Sequence, residues 1–378
     1  MINWSLRLGL SRVNSITSMA QPWIAIIDCS IDIGMKKALV VLRVNLDCLK
    51  QRDGGITLRD CECIGVKTST NWNGELVADA LGEVFSKSGL PIAILKDDGG
   101  DLRRGVSLLN QKQNINILEI KDVGHYTANS LKDEFGRNKY FLKMLELATR
   151  ISQQLKHSVL GYLMAPNLGN HSRFLRITKT AKWCEQVIDL MRNKKIALAD
   201  LSSNLNGGLK QLYKMRPFLK RFGMACGKCD QLLKLLKCKG LNDETYGAAC
   251  EIVRGMARNS ILRRRTQAWL DDHIAIQKRL NMGAAPLPIS SDIIESLMGK
   301  FKNIVQRCPR AEFNRLILLF PCLCGEINEE AIAKALITVS HGELKQYEKN
   351  NISTTMRQAR RKLFEPVRYK IGGPISGN

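Results

Sequence analysis

Acidic residues are scarce in this chain: 35 Asp and Glu stand against 58 Lys and Arg in 378 residues, leaving a formal charge of +23. So strong an imbalance implies a polyanionic partner, whether DNA, RNA or an anionic membrane. Long apolar runs are also missing. No stretch approaches the roughly 18 residues that a membrane-crossing helix needs. The opening segment, MINWSLRLGLSRVNSITSMA, holds Arg and Ser but lacks the continuous apolar core of a secretory signal, and reads as a short leading segment. Twelve cysteines are present, yet the single C-x-x-C, Cys226 to Cys229 with Cys238 nearby, has no second pair at zinc spacing. A structural zinc site needs four ligands. The others, among them Cys29, Cys184 and Cys250, lie on apolar faces and read as reduced thiols of a cytoplasmic protein. No internal repeat is discernible.

What is present begins with a run of β-rich segments. WIAIIDCSI (23–31) and ALVVLRVNL flank Gly34-Met35-Lys36-Lys37 and predict a hairpin, and ECIGVKTS (62–69) a third strand. Residues 72–90 predict a helix, with Leu76, Ala80, Leu81 and Val84 at helical spacing and Gly89-Leu90-Pro91 at its end. PIAILKD (91–97) and INILEIKD (115–122) predict two further strands, separated by the helical DLRRGVSLLNQ and followed by a helix in 125–135. The order β-β-β-α-β-α-β-α, a meander followed by two right-handed crossovers, is that of an α/β, RNase H-like mixed five-stranded sheet with flanking helices. From 138 to 285 helical periodicity dominates. Residues 150–285 hold 25 Lys and Arg against 9 Asp and Glu, so most of the excess charge lies there. The expected organisation is a leading segment (1–21), the first part of the core (22–137), a basic all-helical insertion (138–285), helices completing the core (286–351) and a basic, loose tail (352–378).

Three acids stand where chemistry is possible. Asp28 interrupts the apolar first strand, and burying an isolated carboxylate costs several kcal/mol unless a cation compensates. Asp97 ends the fourth strand in LKDDGGD, where Gly99 and Gly100 permit a sharp turn; Asp98 competes for the same role. Taken alone, D-G is an ordinary turn signal. Glu295 follows Ser290, Ser291 and Asp292, which are N-cap candidates, at the start of an amphipathic helix carrying Lys300 and Lys302. Carboxylates gathered round a gap suit hard cations. Two such ions about 3.5–4 Å apart activate a nucleophile and stabilise the leaving oxygen in phosphoryl transfer.

This pattern resembles the DDE transposases and retroviral-type integrases, and is most similar to a group of bacterial insertion-sequence transposases. The stretches that carry the likeness are WIAIIDCSIDIG with KKALVVL, AILKDDGGDLRRG, IKDVGHYTANSLKDEF and RFLRITKTAKW, spanning about 20–310 with the Glu295 helix. The resemblance implies that Asp28, Asp97 and Glu295 are the catalytic acids and hold two Mg²⁺ or Mn²⁺ ions. It implies that Asp122 and His125 form a supporting D-x-x-H pair and that the gap before Glu295 houses an insertion. It also implies duplex DNA (transposon ends and target) as partner, a homo-oligomer assembled on that DNA, and a cytoplasmic, nucleoid-associated location. Members of the group carry an N-terminal helix-turn-helix region, and WSLRLGL resembles its end, so a truncated copy is expected.

Basic residues add candidate DNA contacts: Lys300 and Lys302 after Glu295, the cluster Arg263, Arg264 and Arg265, with Trp269 close by, and Arg357, Arg360 and Arg361. Two other readings share much of this pattern. An RNase H-like nuclease would cut without joining, and a DNA-binding remnant would keep the basic surface without the metal site.

Overall fold

The computed structural model describes residues 2–33, 36–50, 55–156, 160–167, 173–193, 202–305, 314–352 and 356–364. Strands β1 (Trp23–Ile33) and β2 (Lys36–Asn45) form the expected hairpin, and β3 (Cys61–Ser69) adds to it antiparallel. The hairpin's turn, at 34–35, lies outside the described residues. β4 (Ala93–Lys96) then pairs parallel with the other edge of β1, and β5 (Leu118–Lys121) parallel with β4. The spatial order is β3-β2-β1-β4-β5. Three antiparallel strands followed by two parallel ones, each reached through a helix, make this an RNase H-like α/β fold.

Ile24 to Ile27 are all completely buried, because β1 is central and covered on both faces. That explains its near-continuous apolar sequence. The side chains alternate between two cores: Ile24 and Ile26 join one, Ala25 and Ile27 the other.

Helix α1 (Ile2–Asn14) precedes the sheet and the short α2 (Leu46–Lys50) follows β2. The second core is closed by α3 (Gly74–Ser88) and α4 (Gly100–Gln113) through Val77, Leu81, Phe85, Leu102 and Val106. The spacing in α3 was expected to bury Leu76 and Ala80. Instead Leu76 is exposed and the buried stripe runs through Val77, Ala78, Leu81, Val84 and Phe85. Asn73 sets this phase as N-cap, accepting from the Leu76 N–H.

The first core is larger. It includes α5 (Val123–Phe135) and continues into α6 (Lys139–Leu155), α7 (Arg173–Arg192), α8 (Ser203–Lys214), α9 (Arg216–Lys239), α10 (Asp243–Arg254) and α11 (Ile261–Arg279). Phe135, Phe141, Phe218 and Phe222 form an aromatic cluster joining α5, α6 and α9. The basic helices therefore share one core with the sheet. Helix α12 (Asp292–Val305) packs back on β1, through Ile294, Leu297, Met298 and Phe301 in the same core.

The chain closes with α13 (Leu319–Leu323), α14 (Glu329–Thr338), α15 (His341–Asn351) and α16 (Met356–Phe364). The leading residues, read from sequence as a short segment, are built into the fold: α1 buries Leu6, Leu8 and Leu10 and packs on α13 and α14. The stretch expected as a loose tail contains helix α16, and 365–378 lie outside the described residues. Among the described residues no helix is long and apolar enough to cross a membrane.

Candidate active site at the ends of strands β1 and β4

Where β1 turns back toward β2 on one side and β4 arrives on the other, the sheet has a switch point. In open α/β sheets ligands bind beyond the carboxyl ends of strands at such a point. The parallel ladder pairs Ile24 with Ala93 and Ile26 with Leu95. The ladder ends at Ile26 and Leu95, and Asp28 and Asp97 each lie two residues beyond it. Ile24, Ile26, Ala93 and Leu95 all face the first core, and alternation along β1 gives Asp28 the same parity as Ile24 and Ile26, while Asp97 directly follows the end of β4. Asp28 is only 9% exposed.

Asp97 is half-buried and accepts a 3.0 Å hydrogen bond from the Gly99 N–H. Gly99 has an ordinary φ of −58°, so it is not needed for a left-handed turn. It is needed for room, since a Cβ there would stand 2.9 Å from Asp97 Oδ1. Asp98 follows Asp97 in the short link between β4 and α4. Its Oδ1 is hidden from solvent without a hydrogen-bond partner, with Arg103 3.8 Å away. The field of the two strand-end acids is felt by Cys29, whose thiol is pushed up to about 12, by burial first and then by Asp28, Asp97 and Asp101.

Asp122 joins the two helices that roof this site. It is 2% exposed and N-caps α5: Oδ1 accepts from the His125 N–H at 2.7 Å and pairs with His125 Nδ1 at 3.0 Å. Oδ2 accepts from the Ser291 N–H at 2.8 Å and the Ser291 hydroxyl at 3.1 Å. One carboxylate therefore fixes both helix starts. Burial alone works against the charged form, but the bonds from His125 and Ser291 outweigh it and hold the carboxyl below its usual range. The sequence pattern D-x-x-H is thus an N-cap with a second, long-range anchor.

His125 is pushed up to about 9, chiefly by its bond to Asp122 and further by Asp97 and Glu295, so its imidazole is cationic at neutral pH. Glu295, in the first turn of α12, is exposed at its outer side, yet its pKa is raised. Desolvation by neighbouring atoms leads; Asp292 and Asp122 add to it, while His125 and Lys237 oppose it. Asp28 and Asp97 both act on Cys29, and Asp97 and Glu295 both act on His125. Among the described residues, however, no three His, Cys, Asp or Glu side chains form a ready-made metal cage.

The remaining candidates separate. Lys300 is exposed and Lys302 half-exposed on α12. Of the arginine cluster, Arg264 is exposed, while Arg265 pairs with Asp133 and lies over the Tyr126 ring at 5.4 Å, tying α11 to α5. Trp269 is 2% exposed and stacks on His273, which makes it core rather than a base-stacking surface. Cys226 and Cys229 are buried in α9, and burial raises both thiols.

Two residues had no distinguishing signal in the sequence. His273 of α11 accepts from the Lys121 N–H at 2.9 Å, capping the open edge of β5, while Nδ1–H donates to the Trp269 carbonyl at 2.8 Å. Burial pushes it down to about 4, so it serves as a neutral clasp. Lys237, one of many lysines in LLKLLKCKGL, reaches from α9 to Asp292 at 2.6 Å, beside the start of α5.

No protein-family model matches the chain, and no curated protein matches its sequence. Among solved structures the chain is similar to the strand transfer complex of the Drosophila P element transposase, at 12% identity over 85% of each chain and a TM-score of 0.39. At so low a score the topology and site geometry are the basis for a functional reading.

Proposed function

We propose that this chain is the catalytic part of a DDE-type DNA transposase, which cuts and joins DNA strands at the acids Asp28, Asp97 and Glu295. The observation that supports the reading is the parallel β1–β4 pairing: Ile26, two residues before Asp28, lies opposite Leu95, two residues before Asp97, and the same register extended would bring the two acids together. Two buried or half-buried carboxylates side by side repel unless a cation lies between them. Burial leads in raising the Glu295 pKa, with Asp292 and Asp122 adding to it, so the charged form of this acid is disfavoured in the absence of a cation. An all-oxygen donor set of this kind fits Mg²⁺ or Mn²⁺. Asp28 and Asp97 would hold two such ions from the sheet, and Glu295 would complete the set from α12. When bound, the ions supply nucleophile activation and charge stabilisation at the phosphate.

The chain's own groups do the rest. Asp122 fixes the approach of α12, and with it Glu295, to the strand ends. His125, cationic at neutral pH, is a hydrogen-bond donor beside the acids and offers a contact to a phosphate oxygen. Lysines and arginines of the helical insert neutralise the DNA backbone, which dominates affinity for duplex DNA. A second copy is expected on the DNA, because transposition joins two ends.

The test is a duplex with a free 3′-hydroxyl, incubated with the protein and Mg²⁺. Joined products are the expected outcome. Cut products without joined ones would make the protein an RNase H-like nuclease instead.

A further inference from the structure

Helix N-termini attract anions and disfavour cations, because unpaired N–H groups give each about half a positive charge. Against that rule, an ammonium group stands at the starts of two helices here. Lys237 Nζ lies 3.3 Å, and its Cε 3.4 Å, from the point where a Cβ on Gly124 would sit, over the first turn of α5. The same Nζ pairs with both carboxylate oxygens of Asp292, at 2.6 and 2.7 Å, in the first turn of α12. Gly124 leaves the room this side chain occupies.

The pair is not a buried structural tie. Lys237 is 30% exposed and Asp292 53%, and ion pairs this open contribute little to stability. It borders a cleft of about 100 Å³ that Lys237, Ser290 and Asp292 help to line. Lys237 also acts on Glu295, and His125 faces the same acid. Two helix starts, an imidazole and an ammonium therefore gather at one edge of the candidate active site, and among the described residues the ammonium's ion-pair partner is the solvent-accessible carboxylate of Asp292. An arriving phosphate diester would be favoured by every one of these positive groups.

We propose that Lys237 is a phosphate-binding residue that the helical insert delivers to the catalytic face, and that Asp292 holds it there until DNA arrives. This rests on the DNA-processing reading above. It gives the insertion a role at the reacting strand in addition to its general basic surface. Asp292 acts as a competitor for the same ammonium, so removing its charge frees Lys237 for DNA.

The experiment measures affinity for a short labelled duplex without divalent metal, over a range of salt, for wild type, Lys237→Ala, Lys237→Arg and Asp292→Asn. Lys237→Ala is expected to weaken binding severalfold and to flatten the slope of log K against log salt by about 0.9, the share of one phosphate. Lys237→Arg should keep the slope. Asp292→Asn should bind at least as tightly as wild type. If the two residues merely tie α9 to α12, Lys237→Ala and Asp292→Asn will move affinity together or not at all, and the proposal is overturned. Wild type that binds no duplex at low salt would overturn the DNA-processing reading itself, and this inference with it.

Discussion

Asp28→Asn is expected to remove Mg²⁺-dependent strand cleavage while leaving DNA affinity within about twofold. The substitution keeps the size of the side chain and removes the charge that a divalent ion requires. Losing one preorganised electrostatic group at a reacting centre costs roughly 10²–10³ in rate, and a shared metal ligand should cost no less. Affinity should hold because most of the excess positive charge lies in residues 150–285, distant in sequence from Asp28. Fold should also hold: Asp28 sits at the end of the regular β1–β2 ladder, beyond the fully buried Ile24–Ile27. Paired measurements decide the matter, a gel-shift affinity and a cleavage rate for each protein. Equal cleavage rates would make Asp28 structural.

Asp122→Ala is expected to have the largest effect on stability. It would strand the His125 and Ser291 backbone N–H groups, the Ser291 hydroxyl and the His125 imidazolium at once. Removing one partner of a buried charged network costs roughly 3–5 kcal/mol. The loss should appear in chemical denaturation, and cleavage should fall even where the variant remains folded, since α12 and Glu295 lose their anchor. The pair also sets a pH dependence. His125 is raised from 6.5 to about 9, so its contribution is full below pH 6.5 and is lost as pH climbs through 9. Asp122 is lowered, so its contribution is lost only as pH falls through the folded pKa, below the ordinary carboxylate range. Wild type should therefore lose stability on the alkaline side between about pH 6.5 and 9, and Asp122→Ala should lack that limb. An unchanged alkaline limb in the variant would contradict this role for the pair.

Much of the fold could be read from the chain. The β1–β2 hairpin and the crossover order were visible because strand runs of β-branched residues were bounded by Gly, Pro and Asn. The phase of α3 was not, since Leu76 fits a helical stripe as well as Val77 does until Asn73 fixes where the helix begins. The neighbouring of β1 and β4 was legible from the crossover order. Contacts spanning long sequence distances could not be read. Nothing local marks Asp122 as bonded to Ser291, His273 as a cap on β5, or Lys237 as the lysine that reaches α12. Arg263, Arg264 and Arg265 read as one basic cluster. Helical geometry divides them, turning Arg264 to solvent and Arg265 onto Asp133. Helices completing the core after 286 were expected, whereas α1 was not, because the use of its apolar face shows only once it packs on α13 and α14.

A calorimetric titration of the full chain with Mn²⁺ addresses the metal-dependent account most directly. The acids proposed to hold the ions come from three places in the fold: Asp28 from β1, Asp97 from just after β4 and Glu295 from α12. Two saturable binding events are expected in wild type, with the stronger one lost in Asp97→Asn. No saturable binding in wild type, or binding unchanged by Asp97→Asn, would contradict a catalytic metal site here and leave a basic RNase H-like protein that holds DNA without cutting it.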